Sequence, residues 1–149
     1  MELNEKIAEL TRLASKLNNR DEIINCFHRY INFYSEQHID GVMAQFTTTQ
    51  PDVSLEIGEK GCLKGLDAIR AYFGYMPKIA ARPGAIIYHY VDTQVVTIAE
   101  DGKTAKLTCL APGFDADAKS LTQNWVYGKY YADLVREENG EWKLWHVRW

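Results

Sequence analysis

The stretch NWVYGKYYADLVREENGEWKLWHVRW, residues 124–149, decides the fold class because it predicts two long β-strands joined by a tight turn. The turn falls in ENGE, residues 138–141, where Asn-Gly tolerates the positive φ angles of a short hairpin connection. The preceding stretch, AIIYHYVDTQVVTIAEDGKTAKLTCLAPGF, residues 85–114, repeats the arrangement with Asp-Gly in its turn. From residue 85 onward the sequence therefore predicts two antiparallel hairpins.

Helical periodicity replaces β-alternation at the start of the chain. Five apolar residues recur at spacings of four, three, three and four, namely Leu3, Ile7, Leu10, Leu13 and Leu17. This spacing predicts one helix with a single apolar stripe. The segment NNRDE, residues 18–22, predicts a break, with Asn19 as the N-cap of a second helix that ends near residue 35 or 36.

Two further helices are expected, over residues 39–46 and over residues 65–76, the second ended by Pro77. Helices followed by two long hairpins define the α+β class, in which helices pack on one face of a curved antiparallel sheet. The chain contains neither a repeat nor a linker. Its 149 residues are therefore expected to form a single domain, residues 1–149.

Composition excludes several classes of protein. A net charge of −3, a pI near 5.8 and the lack of any basic run argue against a nucleic-acid surface. No apolar run approaches the roughly 20 residues that span a bilayer, so no membrane partner is expected. The amino terminus does not have the pattern of a signal peptide, and three scattered cysteines indicate reduced thiols. These features predict a cytoplasmic protein.

Sequence motifs for metals and cofactors are also missing. The chain lacks HExxH, clustered thiols and histidines at ligand spacing, so no metal site is expected. Its glycine-rich segment IGEKGCLKG, residues 57–65, lacks the GxGxxG spacing of a dinucleotide site. The sequence also lacks the GxSxG motif that is typical of serine hydrolases. Any chemistry is therefore expected to proceed without a cofactor.

Four motifs in succession resemble the SnoaL-like branch of the nuclear-transport-factor-2-like (NTF2-like) superfamily. They are HRYINFYSEQHIDGVMAQFT from residue 28, GCLKGLDAIRAYF from residue 61, HYVDTQVVTIAEDGKTAKLT from residue 89 and YGKYYADLVREENGEWKLWH from residue 127. The resemblance covers roughly residues 20–149. It implies a cone, in which a strongly curved sheet wraps around helices and opens into an apolar cavity. Relatives include polyketide cyclases, scytalone dehydratase, ketosteroid isomerase and a bile-acid dehydratase, together with members that have no catalytic role.

The resemblance also assigns candidate residues. It places Tyr30 where dehydratases hold the oxygen of their substrate, and a phenol there can donate a hydrogen bond to a developing oxyanion. It places His89 at the position of a catalytic histidine, which can accept and return a proton near neutral pH. Both residues have a purely structural alternative, as core aromatic and as strand residue. The aspartate that many relatives carry five residues after this tyrosine is Ser35 here, with His38 and Asp40 as nearby alternatives.

Strand parity supplies the remaining candidates. In the last strand Trp142, Leu144, His146 and Arg148 share one face if alternation is regular, and the resemblance turns that face toward the helices. His146 and Arg148 are then expected to polarise a leaving group or to hold an acidic substituent, unless they make ordinary structural contacts. Four aromatic residues are expected to bind substrate: Tyr34, Phe27, Tyr130 and Trp142. For Tyr34 a core role is the competing interpretation.

The opposite face of the last strand would carry Trp145 and Trp149. These tryptophans predict an oligomer interface, in a homodimer or a homotrimer.

The leading hypothesis is a lyase, dehydratase or isomerase that acts on a small apolar cyclic or aromatic compound with a carbonyl or hydroxyl group. The alternatives are a domain of the same fold that binds a small ligand or dimerises without chemistry, and a partner-docking surface at the two tryptophans.

Overall fold

A computed structural model describes residues 3–80, 86–117 and 120–149. It contains three α-helices, α1 (Leu3–Ser35), α2 (Ile39–Met43) and α3 (Leu66–Ala80). The seven strands are β1 (Ser54–Ile57), β2 (Gly61–Lys64), β3 (Ile86–His89), β4 (Asp92–Ile98), β5 (Thr104–Asp117), β6 (Thr122–Arg136) and β7 (Trp142–Arg148). Among the described residues, no helix combines the length and apolar character needed to cross a membrane.

The strands form one sheet in the order β2-β1-β7-β6-β5-β3, with β4 also paired to β5. Both predicted hairpins are present, although the first strand of the earlier hairpin is divided into β3 and β4, which pair with successive parts of β5. All pairs are antiparallel except β1 with β7. The sheet is curved and unclosed, with helices on its concave face, and the predicted α+β class with NTF2-like architecture is confirmed.

Three predicted helix boundaries are wrong, and one of them is the end of α2, which lies at Met43 and not at residue 46. Helix α1 runs without a break through residues 18–22, because Asn19 does not cap a second helix. Its side-chain oxygen instead accepts a hydrogen bond from the Trp142 indole at 3.4 Å, which ties the helix to the sheet. Helix α3 likewise continues past Pro77 to Ala80.

The core lies between the second half of α1 and the concave face of the sheet. Ile23, Phe27 and Ile31 recur at helical spacing along α1 and are buried. Leu107 of β5 and Leu134 of β6 oppose them from alternating strand positions, and both are fully buried. The concave face therefore carries the odd residues of β5 and the even residues of β6.

A β-bulge changes the parity of β7. Asp133 pairs with His146 and the next residue, Leu134, pairs with Leu144, so Trp145 is an extra residue in the strand. Beyond the bulge, Val147 is buried with Leu144, whereas His146 lies on the outer face. The expectation that His146 and Arg148 point into the cavity is therefore wrong. Trp149, expected outside, lies on the inner face.

Candidate functional site

A cavity of about 500 Å³ opens at the concave face of the sheet, between α1 and α3. Its lining is mainly aromatic and aliphatic: Tyr30, Tyr34, Leu55, Ile57, Lys60, Tyr72, Phe73, Ile87, His89, Asp115, Val126, Tyr130 and Trp149. Such a cavity is the usual form of a small-molecule site, apolar with a few polar groups that orient the ligand. Of the eight candidate residues, four line it: Tyr30, Tyr34, His89 and Tyr130.

His89 lies at the end of β3, where it faces the cavity. Its ring contacts the edge of the Tyr34 ring at a centroid distance of 4.9 Å. Opposite it, Gly113 leaves room for this packing, since a Cβ there would lie 3.3 Å from the imidazole Cδ2 and 2.5 Å from the Tyr88 carbonyl oxygen. Burial lowers the pKa of His89, and the nearby Asp115 partly opposes that effect. The imidazole is therefore neutral at neutral pH, as a general base requires.

Asp115 lines the cavity and is not among the residues predicted from the sequence. It pairs with Ile87 on β3, which places it diagonal to His89 on the same face of the sheet. Its carboxylate accepts a hydrogen bond from the Asn124 side-chain amide at 3.3 Å. Its odd position, shared with the inward residues Cys109 and Ala111, would have identified it had β5 been extended beyond residue 114.

Ser35, which replaces the aspartate of many relatives, also lies near His89. The backbone N–H of His89 donates to the Ser35 hydroxyl oxygen at 3.5 Å. The carboxylate that acts electrostatically on His89 thus belongs to β5, not to the end of α1. The two alternatives named for this role lie elsewhere: Asp40 pairs with Arg70 at 2.8 Å on the surface, and His38 packs on Phe33.

Tyr30 and Tyr130 bring two phenols to the closed end of the cavity. The side chains are only 2% and 3% exposed, and burial raises the pKa of each phenol well above its ordinary value of about 10. Their rings meet edge to face at 6.3 Å. Burial also raises the pKa of Tyr34, with Tyr72 and Asp115 adding to the effect. All three hydroxyls therefore remain protonated, and those of Tyr30 and Tyr130 are hydrogen-bonded to each other, which leaves one proton of that pair for a ligand.

Two of the predicted substrate-binding residues lie behind the cavity wall. Phe27 is fully buried and packs against the rings of Tyr30 and Tyr130 at 5.7 and 5.2 Å. Trp142 is buried in the core, with its indole N–H directed to Asn19. Neither lines the cavity. They pack behind the lining instead, so the structure does not place them where the predicted contact with a ligand would be made.

Trp149 forms one wall of the cavity through its indole. The ring lies over Gly128 of β6, where any Cβ would overlap the indole nitrogen. It also approaches the rings of His89 and Tyr130, at 5.7 and 6.3 Å. Within the described part of the chain, two buried side-chain nitrogens have no partner, Trp149 Nε1 and His89 Nδ1. Because buried polar atoms are rarely left unpaired, these two nitrogens are candidate ligand contacts.

Lys60 brings a positive charge to the cavity lining. It ends the short 3₁₀-helix Gly58–Lys60, and its ammonium group lies 5.6 Å from the centre of the Tyr72 ring. Lys60 is not among the predicted site residues, because its glycine-rich segment matches no binding motif in the sequence. Within the described ranges, no group of three or more histidine, cysteine or acidic side chains could hold a metal ion.

His146 and Arg148 lie on the convex face instead. His146 Nδ1 is 2.9 Å from the Ser54 hydroxyl, and Nε2 is 3.8 Å from an Asp52 carboxylate oxygen. The Arg148 guanidinium lies over the Tyr131 ring at 5.2 Å. Trp145 stacks on His146 at 4.7 Å and donates its indole N–H to Asp52 at 2.8 Å. These residues thus form a separate polar cluster, with no access to the cavity.

Solved structures with the same fold have low sequence identity to this chain. An NTF2-like protein with a cystatin-like fold from Novosphingobium aromaticivorans has a TM-score of 0.75 at 20% identity, covering 99% of this chain and 88% of its own. A candidate scytalone dehydratase from the same species has a TM-score of 0.76 at 14% identity, covering 91% and 85%. ActVI-ORFA from Streptomyces coelicolor has a TM-score of 0.69 at 16% identity, covering 87% and 94%.

These likenesses concern the fold. No curated protein matches the chain at a significant level. The SnoaL-like domain model, in contrast, matches residues 15–148, nearly the whole chain. The protein therefore belongs to the SnoaL-like family, as the four sequence motifs predict.

Proposed function

We propose that the protein is a cofactor-independent dehydratase or isomerase that acts on an apolar cyclic or aromatic compound bearing a carbonyl or hydroxyl group. One observation carries this proposal: a neutral histidine with a free ring nitrogen shares an apolar cavity with protonated phenols. A base and an oxyanion donor in one apolar site are the two groups needed for proton abstraction next to a carbonyl.

For a dehydration, each step can be assigned to a residue. His89 takes the proton from the carbon between the carbonyl and the carbinol, and the electron pair of the broken C–H bond forms an enolate. A phenol, Tyr30 or Tyr130, donates a hydrogen bond to the enolate oxygen. The enolate then expels the β-hydroxyl group, which leaves as water with the proton that His89 carries. Asp115 stabilises the imidazolium between these steps through its negative charge.

For an isomerisation the same residues suffice. His89 returns the proton to another carbon of the enolate, so no group leaves. The volume of about 500 Å³ suits a ligand of two or three fused rings. The Trp149 indole N–H offers a further donor to a ligand oxygen. Lys60 lies where a carboxylate or phenolate substituent would be attracted, the role that the sequence analysis gave to Arg148 and His146.

A second candidate function is the binding of a small ligand without chemistry. The observation that favours it is Ser35, which cannot ionise at neutral pH and contacts His89 only through the backbone. In this case the unpartnered nitrogens of His89 and Trp149 hold the ligand, and the ligand is recovered unchanged.

Turnover of a simple model substrate tests the proposal. 3-Hydroxy-1-tetralone loses water to give 1-naphthol, which is fluorescent, so dehydration can be followed directly. We expect the wild-type protein to accelerate this reaction and His89→Asn to lose about 10²- to 10⁴-fold of the acceleration, the usual contribution of a general base. His146→Asn is the matched control, because it makes the same change outside the cavity, and it should retain wild-type turnover.

The outcomes separate the two candidates. If the tetralone binds saturably but no 1-naphthol forms, the protein is not a dehydratase. If β,γ-unsaturated cyclic ketones also bind without being isomerised, the binding function is supported and the proposal of an enzyme is overturned. Turnover that His146→Asn reduces as much as His89→Asn contradicts the assignment of the base.

A further inference from the structure

The first half of α1 projects from the body of the protein as a bare helical arm, residues 3–18. Every residue of this arm is exposed, and among the described residues the Asn19 side chain makes the first hydrogen bond from α1 to the sheet. Sixteen residues of α-helix are about 24 Å long. A single helix of this length is marginally stable in water, since most helices depend on packing of an apolar face.

The arm has an apolar face of this kind, but no described residue of the chain packs over it. Its five large apolar residues, Leu3, Ile7, Leu10, Leu13 and Leu17, are between 42% and 72% exposed. At 100° per residue they lie within an arc of about 120° on one side of the helix. Apolar stripes of this kind in an otherwise polar surface indicate a binding surface.

The stripe is symmetric about its middle residue. Relative to Leu10, the other four residues stand at −7, −3, +3 and +7. A second, antiparallel copy related by a twofold axis at Leu10 therefore places Leu10 against its counterpart, Ile7 against Leu13 and Leu3 against Leu17. Self-complementarity of this kind is what a twofold interface requires.

Charge along the arm favours the same orientation. Residues 3–10 contain Glu5, Lys6 and Glu9 and have a net charge of −1. Residues 11–18 contain Arg12 and Lys16 and no acidic residue, and so have a net charge of +2. An antiparallel pair sets the acidic half of each arm against the basic half of the other, whereas a parallel pair sets like against like.

We infer that a second copy of this chain covers the arm, and that the protein is a homodimer joined by an antiparallel, twofold pair of these arms. The inference does not depend on the chemistry of the cavity. The arm begins before residue 15, where the match to the family model starts. A helix pair of this length is smaller than standard interfaces, so the dimer should dissociate on dilution.

Sedimentation equilibrium over a range of concentrations tests the dimer. We expect the wild-type mass to reach twice the 17.1 kDa of one chain and Leu10→Glu to halve it. Ala8→Glu is the matched control, with the same new charge on the same arm, about 160° away from Leu10, and should sediment as wild type. Since the arm lies outside the core, circular dichroism should show the body of each variant folded. Equal masses for wild type and Leu10→Glu overturn the inference.

Cross-linking tests the orientation. Cys62 is the exposed cysteine and is first changed to Ser, because Cys26 and Cys109 are buried. A short bis-maleimide should then link Leu10→Cys to its own counterpart but not Leu17→Cys, whose counterpart would lie about 21 Å away along the pair. Mixed Leu3→Cys and Leu17→Cys proteins should cross-link. Equal self-linking at positions 10 and 17 indicates a parallel pair and overturns the antiparallel arrangement.

Discussion

His89 and His146 lie on opposite faces of one sheet, and their surroundings differ in kind. His89 faces a buried cavity with Nδ1 unpartnered, and burial lowers its pKa. His146 lies on the convex face, with Ser54 close to one ring nitrogen and Asp52 near the other. Groups that are fully satisfied by the protein hold structure together, whereas a buried group left without a partner is available to a ligand. Residue type alone therefore does not distinguish a candidate base from a structural histidine.

Tyr30 faces the cavity and Tyr131 lies on the convex face, so the two tyrosines differ as the two histidines do. After His89→Asn, substitution of Tyr30 should give the largest loss of turnover. Tyr30→Phe removes a buried donor from the cavity, and turnover of the tetralone should fall by about 10²- to 10³-fold, the usual result of losing one oxyanion donor. Tyr131→Phe, the control, alters a phenol on the convex face and should leave the rate unchanged. A rate that falls equally in both variants would show that the two faces do not differ functionally.

Substitution of a carboxylate on each face should change the turnover rate by less than substitution of a tyrosine. Asp115→Asn removes the negative charge that raises the pKa of His89, so this pKa should fall further below about 6.5. The acid limb of the rate profile should move to lower pH, with a loss of about tenfold at the plateau because the imidazolium is less stabilised. NMR titration of the His89 ring checks the shift. Asp133→Asn, which breaks a surface pair with Lys106, should change neither quantity.

Substitution of Lys60 should have a smaller effect than these changes and should alter only the affinity for a charged ligand. Lys60→Gln should weaken binding of 1-naphthoate about fivefold, the value of an exposed charge pair of about 1 kcal/mol, and should leave binding of neutral 1-naphthalenemethanol unchanged. Fluorescence titration at low and high salt measures both affinities. Lys129→Gln, on the convex face, is the control. Equal weakening of both ligands by Lys60→Gln would mean that the lysine shapes the cavity without selecting charge.

Stability should show the smallest difference. The pKa of His89 is lower in the folded protein than in the unfolded chain, so the unfolded chain binds more protons as pH falls. The wild-type protein should thus keep its full stability above about pH 6.5 and lose some as pH falls through the lowered pKa. His89→Asn should have a flatter profile in denaturant titrations. His28, whose pKa is also lowered by burial, contributes equally to both proteins. A steeper profile for His89→Asn would contradict the assignment.

Local patterns predicted the fold class and, with the family resemblance, four of the thirteen residues that line the cavity, because hairpin turns, helical spacing and strand alternation are short-range signals. His89, Tyr30 and Tyr130 follow from such patterns together with the family resemblance. The predictions that failed concern features that depend on contacts between residues far apart in the sequence. The break expected at residues 18–22 is absent, and the Asn19 side chain instead accepts a hydrogen bond from Trp142, which is 123 residues away. The side of the sheet on which His146 lies depends on how β7 pairs with β6, and one sequence read alone contains no sign of a bulge.

Asp115 and Lys60 were missed for related reasons. Asp115 enters the cavity only because β5 continues to Asp117 beside β3, and pairing across strands is not visible in the local sequence. Lys60 belongs to a short 3₁₀-helix whose position is set by β1 and β2 on either side. In both cases the residue type was suitable for a binding site, and only the tertiary structure showed where it lies.

The bulge at Trp145 also has a consequence for how this protein can change over evolutionary time. Without residue 145, regular alternation from Trp142 would put Leu144 and the present Val147 and Trp149 inside, and His146 and Arg148 outside, as they are now. The strand can therefore lose residue 145 without exchanging the residues of its two faces. A designer who wishes to alter the last strand can therefore shorten it at position 145 while Val147 and Trp149 stay on the inner face.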